Sequence, residues 1–152
     1  MTMCRVEKFI PLLVLFAFAL SGCATTGAKY SEMKTSLTSV PADVGRIYFY
    51  RPARFFGSGI RPPVMLNGEM IGAAIPNGFF YVDRPSGNYE VSLPTRFGRA
   101  KVEKTMNFIL DKGQTRYVRM NMSIDLLIYM VIPELVDKDV AESEMDSLRY
   151  LK

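Results

Sequence analysis

The chain has 152 residues, a formal net charge of +4 and 49% hydrophobic residues, enough for one domain with a real core and too few for two. It contains no histidine and no tryptophan, so the commonest general base and the commonest metal ligand are missing, which argues against a zinc or non-haem iron centre and against any bound cofactor of that kind. The modest positive excess suits work beside an anionic surface and is equally common in proteins that bind nothing charged; no aromatic-basic RNA-binding motif accompanies it, and no nucleic-acid partner is expected.

Arg5 and Lys8 introduce an apolar run from Phe9 to Leu20 that carries Pro11. A helix crossing a bilayer needs roughly twenty apolar residues, so the run reads as the removable core of an export signal and not as a span. The tetrapeptide that follows, Leu20-Ser21-Gly22-Cys23, resembles the lipobox of bacterial lipoproteins, in which the cysteine thiol receives a diacylglyceryl group and a dedicated peptidase cuts just before it. The resemblance implies a signal peptide over residues 1–22, lipidation of Cys23 and a membrane partner held through that anchor. Two or three acyl chains would hold stably, at about 0.8 kcal/mol per buried CH₂. Cys4 would leave with the signal, so no disulfide is expected within the mature chain. Ala24 replaces the aspartate that retains many lipoproteins at the inner membrane, which implies the outer membrane, facing the periplasm.

Residues 23–44 are rich in Ala, Thr, Ser and Lys and read as a tether that contributes little core. Within them Tyr30, Met33 and Leu37 recur at helical spacing behind Ser31, a candidate N-cap, and predict a short helix docked on the domain. From Arg46 the period changes to two. Ile47 and Phe49, Val64 and Leu66, Phe80 and Val82, Tyr89 to Leu93, Met106 to Leu110 and Val118 to Ile124 each place apolar residues on one face, with Arg, Lys, Glu, Ser or Asn on the other. That pattern predicts an all-β domain over residues 45–152, an antiparallel β-sandwich of about seven or eight strands with one dry face per sheet and short flanking helices.

Asn67-Gly68 predicts a two-residue type I′ hairpin loop, because both positions need positive φ. Asp111-Lys112-Gly113 reads as a second hairpin turn bringing Phe108 and Val118 together, and Gly72 marks a bulge or a close backbone approach. The apolar stretch Leu126–Ile132 reads as a strand buried on both faces, central or covered by a helix. Val140, Met145, Leu148 and Leu151 predict a short amphipathic helix near the C-terminus.

Three segments carry a resemblance: Gly45-Arg46-Ile47-Tyr48-Phe49-Tyr50-Arg51-Pro52, then Val64-Met65-Leu66-Asn67-Gly68-Glu69-Met70-Ile71-Gly72, then Pro85-Ser86-Gly87-Asn88-Tyr89-Glu90-Val91. Together they resemble a family of bacterial envelope lipoproteins whose shared domain has no assigned function, and their glycine-marked turns are similar to PEGA-type β-sandwich modules. Such glycines and prolines answer to backbone geometry, so the resemblance implies a fold and is nearly silent on activity.

No catalytic constellation stands out. Phe56-Gly57-Ser58-Gly59 lacks the spacing of a serine elbow, and no phosphate-binding loop is present. Asp83, Asp111, Asp125 and Glu134 are the carboxylates that could serve a hydrolase if the fold paired them. Met120 and Met122 share a strand face with Val118 and read as core. The best candidate binding surface is the connection from Arg51 to Arg61, where Arg51, Arg54 and Arg61 accompany Phe55 and Phe56 around mobile glycines. The competing reading folds Phe55, Phe56 and Ile60 back as a plug on the core. The expected function is a non-catalytic interaction or structural module binding an envelope protein or cell-wall component; the alternative is a periplasmic carrier of a small ligand or lipid, and a carboxylate hydrolase comes third.

Overall fold

The period-two segments form strands β1 (Val44–Arg51), β2 (Pro63–Leu66), β3 (Glu69–Ala73), β4 (Gly78–Pro85), β5 (Gly87–Phe97), β6 (Ala100–Leu110), β7 (Thr115–Asp125) and β8 (Ile128–Val136), and a short β9 (Arg149–Tyr150) follows. Two helices flank them, α1 (Tyr30–Met33) and α2 (Lys138–Met145). This computed structural model describes residues 27–54, 57–97, 100–125 and 128–151; the segment read as an export signal, Cys23, Phe55 and Phe56 lie outside the described residues.

The strands make a five-stranded sheet, ordered β8-β7-β1-β4-β9, and a four-stranded sheet, ordered β3-β2-β5-β6. They pack as a sandwich-like, mostly antiparallel β fold, with Ile47, Phe49, Phe80, Val118, Met120 and Val131 from one sheet meeting Val64, Leu66, Val91, Leu93, Phe108 and Leu110 from the other. Two pairings are parallel, β1 with β7 and β4 with β9. The expected hairpin at Asp111-Lys112-Gly113 is therefore an arch between sheets, since β6 and β7 belong to different ones. Phe108 and Val118 do share one core, but on opposite sheets of the sandwich and not along a ladder.

The five-stranded sheet is buried on both faces, against the expectation of one dry face. Tyr48, Tyr50, Phe79 and Tyr117 form a second cluster with Tyr30 of α1, Ala141 and Met145 of α2, and Leu148. Tyrosine alternating with Ile and Phe looks like a solvated face in sequence, yet its ring packs well while only its hydroxyl needs a polar partner. Here Tyr48 stacks on Tyr117 at 5.3 Å, and Tyr30 meets Phe79 edge-on at 5.4 Å. The Tyr50 hydroxyl donates to Glu144 Oε2 at 2.6 Å.

Tyr30 is 3% exposed, so part of the stretch read as a tether supplies core. Its backbone N–H donates to the Leu148 carbonyl, and Tyr150 N–H donates to the Ala28 carbonyl, each at 2.9 Å. The N-cap is Lys29, not Ser31; the Glu32 carboxylate accepts from the Lys29 N–H at 3.0 Å. In α2 the inward residues are Ala141 and Met145, four apart, while Val140 points outward at 47% exposure.

The turn at Asn67-Gly68 is as expected: φ is 48° and 81°, and Leu66 pairs with Glu69. At Gly72 both expected features coincide. The β2–β3 register slips so that Ile71 has no partner, and a Cβ at Gly72 would lie 2.8 Å from Phe80 Cζ. The apolar run ending at Ile132 enters β8, which is an edge strand paired only with β7, not a central one. Pro133 sits opposite Met120 within it, and an edge position tolerates the missing N–H.

Candidate functional site

Odd-numbered residues of β1 point between the sheets: Ile47, Phe49, then Arg51 where the core runs out. Continuing alternation, not a change of direction, takes Arg51 inward, and it is 3% exposed. Its Nη1 donates to the carbonyls of Ile60 and Ala74, the latter at 2.7 Å, and its Nη2 donates to that of Gly57 at 2.9 Å. The guanidinium thus ties the β1–β2 connection to the end of β3. Burial, and then the nearby Arg61 cation, draw its pKa down to about 10, so it stays charged at neutral pH with carbonyls and no carboxylate as partners. Arg51, expected on the binding surface, positions that surface from beneath. Arg54 and Arg61 are exposed, and Phe55 and Phe56 lie outside the described residues.

Between this connection and the β5–β6 hairpin lies a groove of about 610 Å³. Gly59, Ile60, Pro62, Pro63 and Pro94 form its walls, and Arg61, Arg96 and Lys101 stand around it. Prolines fix the wall backbone and remove donors from it, leaving the cationic side chains as its main donors. Arg96 and Lys101 are directly opposite one another in the β5–β6 ladder, an arrangement of like charges that costs stability. One acid moderates it: Lys101 pairs with Glu103 at 2.9 Å, and hydrogen bonds from Lys101 and then Ser92 hold the Glu103 carboxyl below the ordinary carboxylate range. Such a groove can bind an anion.

Sequence reasoning found Arg61 and missed Arg96 and Lys101. The signal was the basic density of Arg96, Arg99 and Lys101 around Gly98, but nothing local placed that hairpin beside the β1–β2 connection.

Two of the carboxylates considered for hydrolysis, Asp83 and Glu134, are held by different arginines. Asp83 is bound by Arg46, with Nε to Oδ1 at 2.7 Å and Nη2 to Oδ2 at 2.8 Å. The Arg46 guanidinium also donates to the Thr38 carbonyl and lies 4.3 Å over the Tyr81 ring. Glu134 is held by Arg119 with Nε to Oε2 at 3.0 Å, and the same arginine reaches Glu144 Oε1 at 2.8 Å. Asp111 is exposed in the inter-sheet arch, and the Asp125 side chain is outside the described set. Asp83 is paired with Arg46, and Glu134 and Glu144 share Arg119; the two arginines fasten a loop, a strand and a helix, which is architectural chemistry. Arg116 donates from Nε to the Ile109 carbonyl at 3.2 Å. Among the described residues no three His, Cys, Asp or Glu side chains gather as metal ligands, and no helix is long and apolar enough to cross a membrane.

The molecule is thus a two-sheet β domain, faced by helices on one side and bearing a basic groove at one end. Residues 41–129 match the family described as "Protein of unknown function (DUF2846)", and the chain belongs to that family. No curated protein and no solved structure matches it.

Proposed function

We propose that this is a lipid-anchored cell-envelope protein, held through an acylated Cys23, whose β domain is a non-catalytic interaction module. The observation that carries the reading is the groove between the β1–β2 connection and the β5–β6 hairpin, with three cations around rigid walls and a fourth, Arg51, holding one wall in place. A further support is that Asp83 and Glu134 of the helix-covered sheet, and Glu144 of α2, are engaged by arginines. The partner surface is the loop end of the sandwich, and its complement is an acidic component of the envelope. A carrier role is the second reading, favoured by an apolar groove of about 410 Å³ lined by Met70, Ile71, Phe80, Tyr150 and Leu151.

Two measurements test the main reading. The Cys23→Ser variant should lose incorporation of a clickable fatty acid and accumulate uncleaved; normal labelling and cleavage of this variant would sink the anchor. A photocrosslinking residue at exposed Ser58 should capture an envelope component in cells, whereas crosslinks only from the helix-covered side would move the surface elsewhere.

A further inference from the structure

We infer that the basic groove takes an acidic peptide in extended form, which pairs with the open edge of β5 and sets its carboxylates between Arg61 and Arg96. The inference rests on the interaction-module reading above and names the chemistry of the partner at that surface.

The groove exists because β2 and β5 separate at a defined step. β2 pairs with β3 along Pro63–Leu66, but with β5 only at Leu66–Val91 and Met65–Ser92. Carried onward, the same register would set Pro63 opposite Pro94 and then Arg61 opposite Arg96. Alternation gives the direction of the backbone groups. Glu90 spends both its N–H and its carbonyl on Asn67, so Ser92, Pro94 and Arg96, at two-residue steps along a strand whose ladder with β6 has no bulge, turn theirs to the same side. On the other wall the Pro62 carbonyl accepts from the Ala74 N–H just past β3, which turns the Pro63 carbonyl toward β5. Where a ladder bond falls due, two proline carbonyls therefore face each other with no N–H between them. The next step would oppose two guanidinium groups. Neither step closes, and Arg51 holds the departing chain through the Gly57 and Ile60 carbonyls.

What stays open is a strand edge with a particular demand. The Pro63 and Pro94 carbonyls accept donors, and Arg96 offers both an N–H and a carbonyl. A peptide backbone supplies both kinds of group at two-residue steps, which a simple anion does not. Side chains follow the same alternation. Val91, Leu93 and Thr95 are buried toward the sandwich interior, so Arg96 stands on the outer face with Lys101 opposite it. Residues of an added strand that share this face recur every ~7 Å, and carboxylates there meet Arg96 on one side and Arg61 on the other. Lys101 is engaged by Glu103 at 2.9 Å, whereas neither Arg61 nor Arg96 is in an ion pair among the described residues.

The test titrates the full chain in neutral detergent micelles with a capped peptide of alternating glutamate and serine, about six residues long, and follows the NMR signals of the Arg61 and Arg96 amides and side chains. These signals should move with the peptide and stay still with the same peptide methylated at every backbone nitrogen. The combined Arg61→Gln, Arg96→Gln variant should bind about tenfold more weakly, at about threefold for each exposed ion pair lost. Both side chains are exposed, so the variant keeps the core; retained amide dispersion verifies that. An equal response to a glutamine–serine peptide, full binding of the methylated peptide, an unchanged affinity of the variant, or an inorganic-phosphate affinity matching that of the peptide would each overturn the inference. So would movement of the same signals with phosphatidylglycerol and not with peptide. A Ser58 crosslink to an envelope component in cells, with groove signals that ignore the peptide, would overturn this inference and leave the interaction module standing.

Discussion

Alkaline pH should dismantle the tyrosine layer that joins the five-stranded sheet to its helices. Tyr117 is pushed up to about 12 by burial and then by Glu142. Tyr30, through burial and then Glu142, and Tyr50, through burial and then its bond to Glu144, are raised further. In the unfolded chain all three titrate near 10. Above that value the unfolded state has released protons that the folded state still holds, so stability is complete below about pH 10 and falls as pH rises toward 12. Each tyrosine contributes a slope of about 1.4 kcal/mol per pH unit; three give ~4, or ~2 when halved for relaxation and solvent screening. Against a total of about 5–15 kcal/mol, one or two pH units remove a large share.

Urea midpoints of the full chain, followed by far-ultraviolet circular dichroism from about pH 9 to about pH 11, would measure the slope, and Tyr50→Phe should reduce it by about a quarter to a third, because burial raises Tyr48 of the same layer as well. A flat midpoint, or tyrosinate absorbance showing all eight tyrosines ionising near pH 10 in a folded chain, would refute the reasoning.

Two other substitutions have defined outcomes. Arg51→Met removes the donors shared by the Gly57, Ile60 and Ala74 carbonyls; it should cost about 1–3 kcal/mol and make the connection between β1 and β2 sensitive to limited proteolysis, and wild-type resistance would show that Arg51 does not hold it. Gly68→Val meets open space, so its cost comes from φ of 81° alone; a loss of about 1–3 kcal/mol is expected, with Gly68→Asn much milder, and an unchanged midpoint would mean the turn relaxes without penalty.

The local features were legible because local chemistry decides them. Asn67-Gly68 must take positive φ wherever the turn occurs, and alternation such as Ile47, Phe49 or Val91, Leu93 can bury one face only as a strand. What escaped depended on partners distant in sequence. The parallel pairing of β1 with β7 leaves no mark in either segment. The two-residue β9 is too short for any period, and the tyrosines of β1 and β7 look solvated until α1 and α2 cover them. At the candidate site, Arg61 stood out through its glycine-rich neighbourhood, whereas Arg96 and Lys101 looked like any exposed face of a hairpin. Arg51 was misplaced for the opposite reason: charge suggested exposure, and strand parity overruled it.

The order of the five-stranded sheet also governs when folding can finish. β1 is its central strand, and its neighbours belong to much later parts of the chain; Tyr150 closes the far edge against both Phe79 and Ala28. Contacts of such long sequence separation raise the contact order, and loop-closure entropy must be spent before they form. A chain delivered from its N-terminus therefore carries β1 unpaired until β4 and β7 emerge, and it cannot complete the edge before residues 149 and 150 arrive. Late closure makes the last few residues the gatekeepers of the native state: a chain shortened by three or four residues at its C-terminus would lack β9 and leave both Phe79 and Ala28 without their edge partner.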